Sequence, residues 1–325
     1  MRRLFVLLSF FATGLIVAGT TALIWGTNQF ESAGPLASRT TVEIPPGAGL
    51  STVAGKLEKA GVIENRLLFS VGARLTGRAG ALKAGEYAFP AGVSPEVALE
   101  RVVAGRTVTY AVTIPEGRTS AQVVARLREA EALTGKIREI PPDGSLLPET
   151  YEYSRGHTRA RMINRMQAAM DRLLDELWPQ RDPNLPVDTR REAVTLASIV
   201  EKETGVPDER AVVAGVFVNR LRQGMRLQSD PTVRYALTGG EKILDRPLTR
   251  ADLELDDPYN TYTNHGLPPG PIANPGRAAI EAALNPADTD YLYFVADGDG
   301  GHVFAETLEA HNENVAEYRA QQDGD

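Results

Sequence analysis

The chain has 325 residues, 35 Lys and Arg against 42 Asp and Glu, a net charge of −7 and no cysteine. Without thiols there is no disulfide scaffold, thiolate zinc site, iron–sulfur centre or cysteine nucleophile, and the acidic balance argues against broad nucleic-acid binding. The length suffices for about two domains with real cores.

Residues 4–25 form an uncharged, mostly apolar run, long enough to cross a hydrocarbon core of ~30 Å as a helix. Arg2 and Arg3 precede it, so the positive-inside rule keeps that end in the cytoplasm and puts the rest of the chain outside. The competing reading is a cleaved signal peptide, although the apolar run exceeds the usual ~7–15 residues. Residues 27–38 are polar and carry Gly, Ser and Pro, as in a tether.

A small α+β module is expected next. Thr41 to Ile44 alternates as a strand does, and Pro45-Pro46-Gly47 ends it. Ser51 is placed to cap a helix carrying Val53 and Leu57; Leu67, Leu68, Phe69, Val71 and Leu75 suggest a second. Residues 83–89 read as a strand, and Ser94 caps a third helix that ends near Gly105.

Beyond it, residues 107–114 alternate as a strand and 120–132 read as a helix. Residues 146–151 look like a Pro-bent polar turn. Residues 161–178 make an amphipathic helix whose Met162, Met166 and Met170 stripe reads as core. Helices are expected over 189–204, 208–223, 277–284 and 307–319, with a hairpin of 291–295 against 303–304. Residues 226–232 and 257–275, rich in Asn, Thr, Tyr, Pro and Gly, read as irregular loops suited to carbohydrate: aromatic faces for rings, amides for hydroxyls.

Chemistry concentrates on the helix over 189–204. At 100° per residue Ala193, Leu196 and Val200 form an apolar stripe. Glu203 falls within it, Glu201 toward its edge, and Lys202 points away. A carboxyl on an apolar face loses hydration and its pKa rises, as a general acid near neutral pH requires. The histidines, His157, His265, His302 and His311, have no metal-ligand spacing; His302 and His311 read as structural hydrogen-bonding groups. There is no phosphate-cradling loop and no nucleophile elbow. The Asp297-Gly298-Asp299-Gly300 run reads as a hairpin turn, lacking the remaining ligands of a calcium loop.

Leu196-Ala-Ser-Ile-Val-Glu-Lys-Glu-Thr204, Val216-Phe-Val-Asn-Arg-Leu221, Met225-Arg-Leu-Gln-Ser-Asp-Pro-Thr232, Tyr259-Asn-Thr-Tyr262, Gly266-Leu-Pro-Pro-Gly270 and Tyr291-Leu-Tyr-Phe-Val-Ala-Asp297 occur in this order. The set resembles the endolytic murein transglycosylase (YceG-like) family, with Ser229 standing where relatives often carry Thr. The resemblance implies an α+β chain: a cytoplasmic tip (1–3), one transmembrane helix (4–25), a linker (26–40), a LysM-like module (41–106), a mixed α/β catalytic domain (107–320) and a tail (321–325). It implies a lyase that cleaves the MurNAc-(β-1,4)-GlcNAc bond within nascent glycan strands, leaves 1,6-anhydro-MurNAc ends and terminates elongation. Glu203 would be the catalytic residue, and Gln228, Asp230, Thr232, Tyr259, Asn260, Tyr262 and, on a looser match, Glu149 would bind substrate. No cofactor or metal is expected. The implied partners are peptidoglycan strands and peptidoglycan synthases, at the bacterial cytoplasmic membrane, with the catalytic domain outside (periplasmic in a Gram-negative cell). The alternatives are a hydrolase (muramidase) using Asp230 as second carboxylate, and a non-catalytic wall-binding scaffold.

Overall fold

The apolar N-terminal run, free of Pro, supports one long helix. In the computed structural model, which describes residues 2–322, that helix is α1 (Arg2–Glu31), with an exposed apolar surface over most of its length. Residues 8–31 are long and apolar enough to cross a membrane, a test that a signal sequence also passes. Of the expected tip and tail, Met1 and residues 323–325 lie outside the described residues.

The chain divides into two compact units, residues 1–110 with 152–156, and residues 111–151 with 157–325. The return of 152–156 to the first unit is absent from the sequence reading, which cut the chain once. In the first unit β1 (Thr40–Ile44), α2 (Leu50–Lys59), α3 (Arg66–Leu75), β2 (Gly85–Phe89) and α4 (Pro95–Ala104) follow in order. β1 and β2 pair antiparallel, Thr40 opposite Phe89 and Ile44 opposite Gly85. Their inward residues close with Val53, Leu57, Phe69, Leu99 and Val102 into one core. Gly49, not Ser51, is the N-cap of α2, while Asn65 and Ser94 cap α3 and α4 with their side chains. The expected tether is partly structured. α1 continues to Glu31, and Phe30 and Leu36 are buried in this core, Phe30 against Phe69 with ring centroids 6.5 Å apart. Two apolar residues in a polar run were enough to dock it.

β3 (Tyr110–Thr113) pairs with β4 (Thr150–Tyr153), a strand where a polar turn was expected. The second unit carries α5 (Ser120–Glu129), α6 (Arg159–Leu177), α7 (Arg190–Glu203), α8 (Arg210–Arg222), α9 (Asp230–Thr238), α10 (Arg250–Leu253), α11 (Arg277–Leu284), the antiparallel hairpin β5 (Tyr293–Ala296) and β6 (His302–Ala305), and α12 (Leu308–Gln322). The methionine stripe of α6 is buried as expected. α9 and α10 replace parts of the sequence expected to be irregular or left unassigned: Pro231 sits in the first turn of α9, where its missing N–H costs nothing.

α7 is the axis of this unit. Every residue from Ala193 to Val200 is buried, so the expected single stripe is an all-round apolar surface. α11, α8 and α9 pack against it, and its start is fixed by a reciprocal capping box of Thr189 and Glu192. Two polar residues lock the long 257–275 segment around it. Ser198 Oγ accepts from the Ile272 N–H at 3.1 Å. Asn274, fully buried, accepts from the Leu146 N–H and donates to the Arg118 carbonyl and Ser120 Oγ. Asn274→Ala leaves the Leu146 N–H without its partner in the interior and strips Ser120 Oγ of a donor, while the Arg118 carbonyl keeps the backbone N–H of residue 274. It should lower unfolding free energy by about 3 kcal/mol, read from denaturant unfolding of the soluble part of the chain.

Candidate active site

α7 ends at Glu203, with extended Thr204 as its C-cap. The end of a helix carries the negative pole of its dipole, which disfavours a carboxylate there. Burial acts in the same direction and dominates: it pushes the Glu203 carboxyl from 4.5 up to about 7, with the negative charge of Asp230 adding to the rise. Opposing it, Ser229 Oγ donates to Glu203 Oε1 at 2.5 Å, and His302 and Arg220 favour the anion through space.

Ser229 is held from behind. Gln228 adopts a left-handed backbone (φ 50°), the one such non-glycine residue among those described, and turns the chain sharply before it. The Gln228 N–H donates to the Thr261 carbonyl and the Ser229 N–H to Thr261 Oγ1. Thr232 Oγ1 donates to the Ser229 carbonyl at 2.6 Å and lies 2.8 Å from Thr261 Oγ1. This buried hydroxyl pair clamps the 228–232 turn onto the 259–262 turn. Asn260, with no exposed surface, donates to the Leu253 and Leu255 carbonyls and accepts from the Tyr262 N–H. Tyr262 in turn donates its hydroxyl to Asp230 Oδ1 at 2.6 Å, and burial, with that bond second, raises its pKa.

Two further groups, Arg220 and His302, complete the surroundings. Arg220 of α8 is buried and donates to the Leu292 and Leu227 carbonyls, each at 2.6 Å, under the Tyr293 ring. His302 Nδ1 meets Glu209 Oε2 at 2.7 Å, and Glu209 also accepts from the His302 N–H and from Thr204 Oγ1. Burial raises the Glu209 pKa, but the His302 and Thr204 hydrogen bonds outweigh it and leave the carboxyl below its usual range.

The expected binding residues therefore divide. Gln228 and Asp230 are exposed and flank Ser229, and Tyr262 joins them through Asp230. Thr232 and Asn260 are buried and spend their side-chain bonds on protein groups, so they shape the site rather than face a ligand. Tyr259 packs against Tyr235 with centroids 4.7 Å apart, in a cluster with Asp143 and Arg191. Glu149 lines a different cavity of about 330 Å³ with Arg161, Arg165 and Arg172. Glu201, expected near the stripe's edge, is half-buried on another side of α7. There burial raises its pKa, opposed by the Gly276 N–H that donates to it at 2.9 Å. His302 makes the structural bonds expected of it; His311 instead stacks on Tyr293, its buried Nδ1 lacking a hydrogen-bond partner. Sequence reasoning missed Ser229 and Arg220 as neighbours of Glu203, and Glu209 as the partner of His302. Arg220 carried one usable signal, an arginine within the apolar run Val216 to Leu221.

The YceG-like family matches residues 42–317. The chain is 33% identical to an endolytic murein transglycosylase of Bacillus subtilis over 94% of this chain and 91% of that protein. The chain belongs to the YceG-like family. It is also 35% identical to an endolytic murein transglycosylase of Streptococcus pneumoniae, over 86% of this chain but 58% of that longer relative. A crystal structure of a YceG-like protein from Listeria monocytogenes superposes with a TM-score of 0.53 at 35% identity, covering 85% of this chain and 98% of that one. The turns that surround Glu203 all lie inside the YceG-like match.

Two measurements check the electrostatics of Glu203. Its folded pKa, about 7, stands above the ordinary 4.5, so the native state holds the proton more tightly than the unfolded chain. The destabilisation is absent below the ordinary value, grows as pH rises and levels off above about 7. Glu203→Gln should match the parent at pH ~4 and exceed it at pH ~8 by on the order of 2–3 kcal/mol in chemical denaturation. Ser229→Ala removes the bond that favours the anion, so the Glu203 titration, followed by carboxyl ¹³C NMR, should move further upward.

Proposed function

We propose that the chain is an endolytic murein transglycosylase, with Glu203 as its single proton-transfer group. The observation that carries this reading is a half-buried, desolvated carboxyl at a helix C-terminus with its pKa raised to about 7, beside an exposed polar turn. The names of the relatives supply the substrate class.

In the proposed reaction protonated Glu203 gives its proton to the glycosidic oxygen as the bond from MurNAc C1 breaks. The resulting carboxylate accepts the proton of the MurNAc C6 hydroxyl, and O6 attacks C1 to close the 1,6-anhydro ring. No water is consumed, so the paired carboxylates of ordinary glycosidases are not required. Ser229 steadies Glu203 when it is anionic and orients Oε1, leaving Oε2 for the proton. Arg220 and His302 limit the rise of the pKa, so the group works in both directions. Gln228, Asp230 and Tyr262 are the side chains assigned to the N-acetyl sugars. Thr232 and Asn260 hold the turns that present them.

Residues 107–320 are the proposed catalytic domain and 41–106 a LysM-like glycan-binding module; its strand–helix–helix–strand order supports that reading. α1 is the proposed uncleaved anchor, N-terminus in the cytoplasm, which would place the enzyme where strands emerge from peptidoglycan synthases and allow it to terminate them.

Glu203→Gln keeps the side chain's shape and removes its proton chemistry. Release of anhydro-ended muropeptides from purified sacculi, identified by mass, should fall by ~10²–10⁴-fold or more, with the fold intact. Glu201→Gln should retain most activity, since that carboxyl binds the Gly276 N–H and lies away from Ser229. Reducing MurNAc ends from the parent enzyme would mean hydrolysis instead, and no release at all would favour a scaffold.

A further inference from the structure

α3 carries two apolar faces. Phe69 and Ala73 point into the module's core. Leu67, Val71 and Leu75, at successive i+4 spacing, form a second stripe on the opposite side, and they are 70%, 50% and 70% exposed. A soluble module gains nothing from leaving such a stripe in water.

The stripe's surroundings identify what covers it. It forms one wall of a groove of about 990 Å³ whose other wall is the C-terminal part of α1, from Ala22, Leu23 and Trp25 to Glu31. That wall is fixed, not tethered. Phe30 is buried against Phe69, and Gly72 lies so close under the Phe30 ring that an added Cβ would collide with it. Gly26 sits beside Leu68. α3 is therefore rigidly docked where the membrane-crossing run of α1 gives way to polar residues. The groove's acidic members, Glu31, Glu64 and Glu96, belong to the end of α1 and to the N-terminal approaches of α3 and α4. Arg66 and Arg74 of α3 are exposed, Arg66 only loosely paired with Glu58 at 3.8 Å. Trp25 has the amphipathic ring that favours the bilayer interface.

We propose that α3 is an interfacial helix: its Leu67, Val71 and Leu75 stripe lies in the outer leaflet of the lipid bilayer beside α1, with Arg66 and Arg74 at the headgroups. The anchor and this helix together grip the bilayer at two points, so the module cannot swing on α1. Apolar continuity with α1 decides for lipid over a second protein, because the stripe shares one groove with side chains of the membrane-crossing run itself.

The proposal rests on the anchor reading, and the experiment separates the two. The chain has no cysteine, so single cysteines at Leu67, Val71, Leu75, Leu15 (anchor) and Glu43 (outward on β1) can each carry an environment-sensitive fluorophore. The full chain is reconstituted in phosphatidylcholine–phosphatidylglycerol vesicles containing nitroxide lipids of known depth. The Leu15 position should be quenched by deep nitroxides. The α3 positions should be quenched by shallow ones, about twofold or more above Glu43, as for a helix sunk ~5–10 Å into the interface. If Leu15 is quenched while the α3 positions behave as Glu43 does, the interfacial helix is wrong and the anchor stands. If Leu15 is not quenched, the anchor fails and takes this proposal with it. Disulfide dimers formed through Leu67→Cys or Val71→Cys, with no lipid quenching there, would overturn it in favour of a second copy on the stripe.

Discussion

A carboxyl group at the end of a helix that is buried on every side is the constraint around which the second unit is organised. Glu203 is half-buried at the end of α7, whose residues from Ala193 to Val200 are buried and against which α8, α9 and α11 pack. It cannot ionise cheaply, since both desolvation and the helix pole oppose the charge. The protein answers with one short hydrogen bond from Ser229 and longer-range support from Arg220 and His302, which hold the group at about 7. For the proposed proton transfers, further stabilisation of the anion would make a poor acid, and less would make a poor base.

That tuning depends on where a single hydroxyl sits, and its placement is costly in structure. The left-handed Gln228, the Thr232–Thr261 hydroxyl pair and the fully bonded Asn260 all serve to hold Ser229 in register with Glu203. A network of this kind stabilises only when complete, because any unpaired member would sit desolvated. Residues that look like ligands for a sugar in the sequence are thus divided by the fold. The buried ones satisfy each other, and the exposed ones, Gln228 and Asp230, remain available.

Glu201 and Glu203 illustrate how little sequence distance means at a helix end. Both are half-withdrawn from water and both have raised pKa values. Two residues turn the side chain by about 200° at the α-helical pitch, so Glu201 meets the Gly276 N–H and Glu203 meets the Ser229 hydroxyl. The first is pinned by a backbone donor. The second has a partner that leaves its other oxygen unclaimed by any hydrogen bond shown here.

Local chemistry was legible in the sequence wherever the cause was local. The apolar run of α1, the alternation of β1, the side-chain cap of α4, the methionine stripe of α6 and the β5–β6 hairpin all follow from spacing, capping and hydropathy over a few residues. The family motifs and the apolar phase of Glu203 were legible for the same reason. What only the tertiary structure decided involves partners far apart in the chain: the docking of Phe30 into the module, β4 as a strand paired with β3, the return of 152–156 to the first unit, the burial of Thr232 and Asn260, the packing of Tyr259 on Tyr235, and the arginine-lined cavity beside Glu149. Periodicity reports which face of an element is apolar, whereas burial and pKa depend on what is packed against that face, and that is set by contacts no short window of sequence contains.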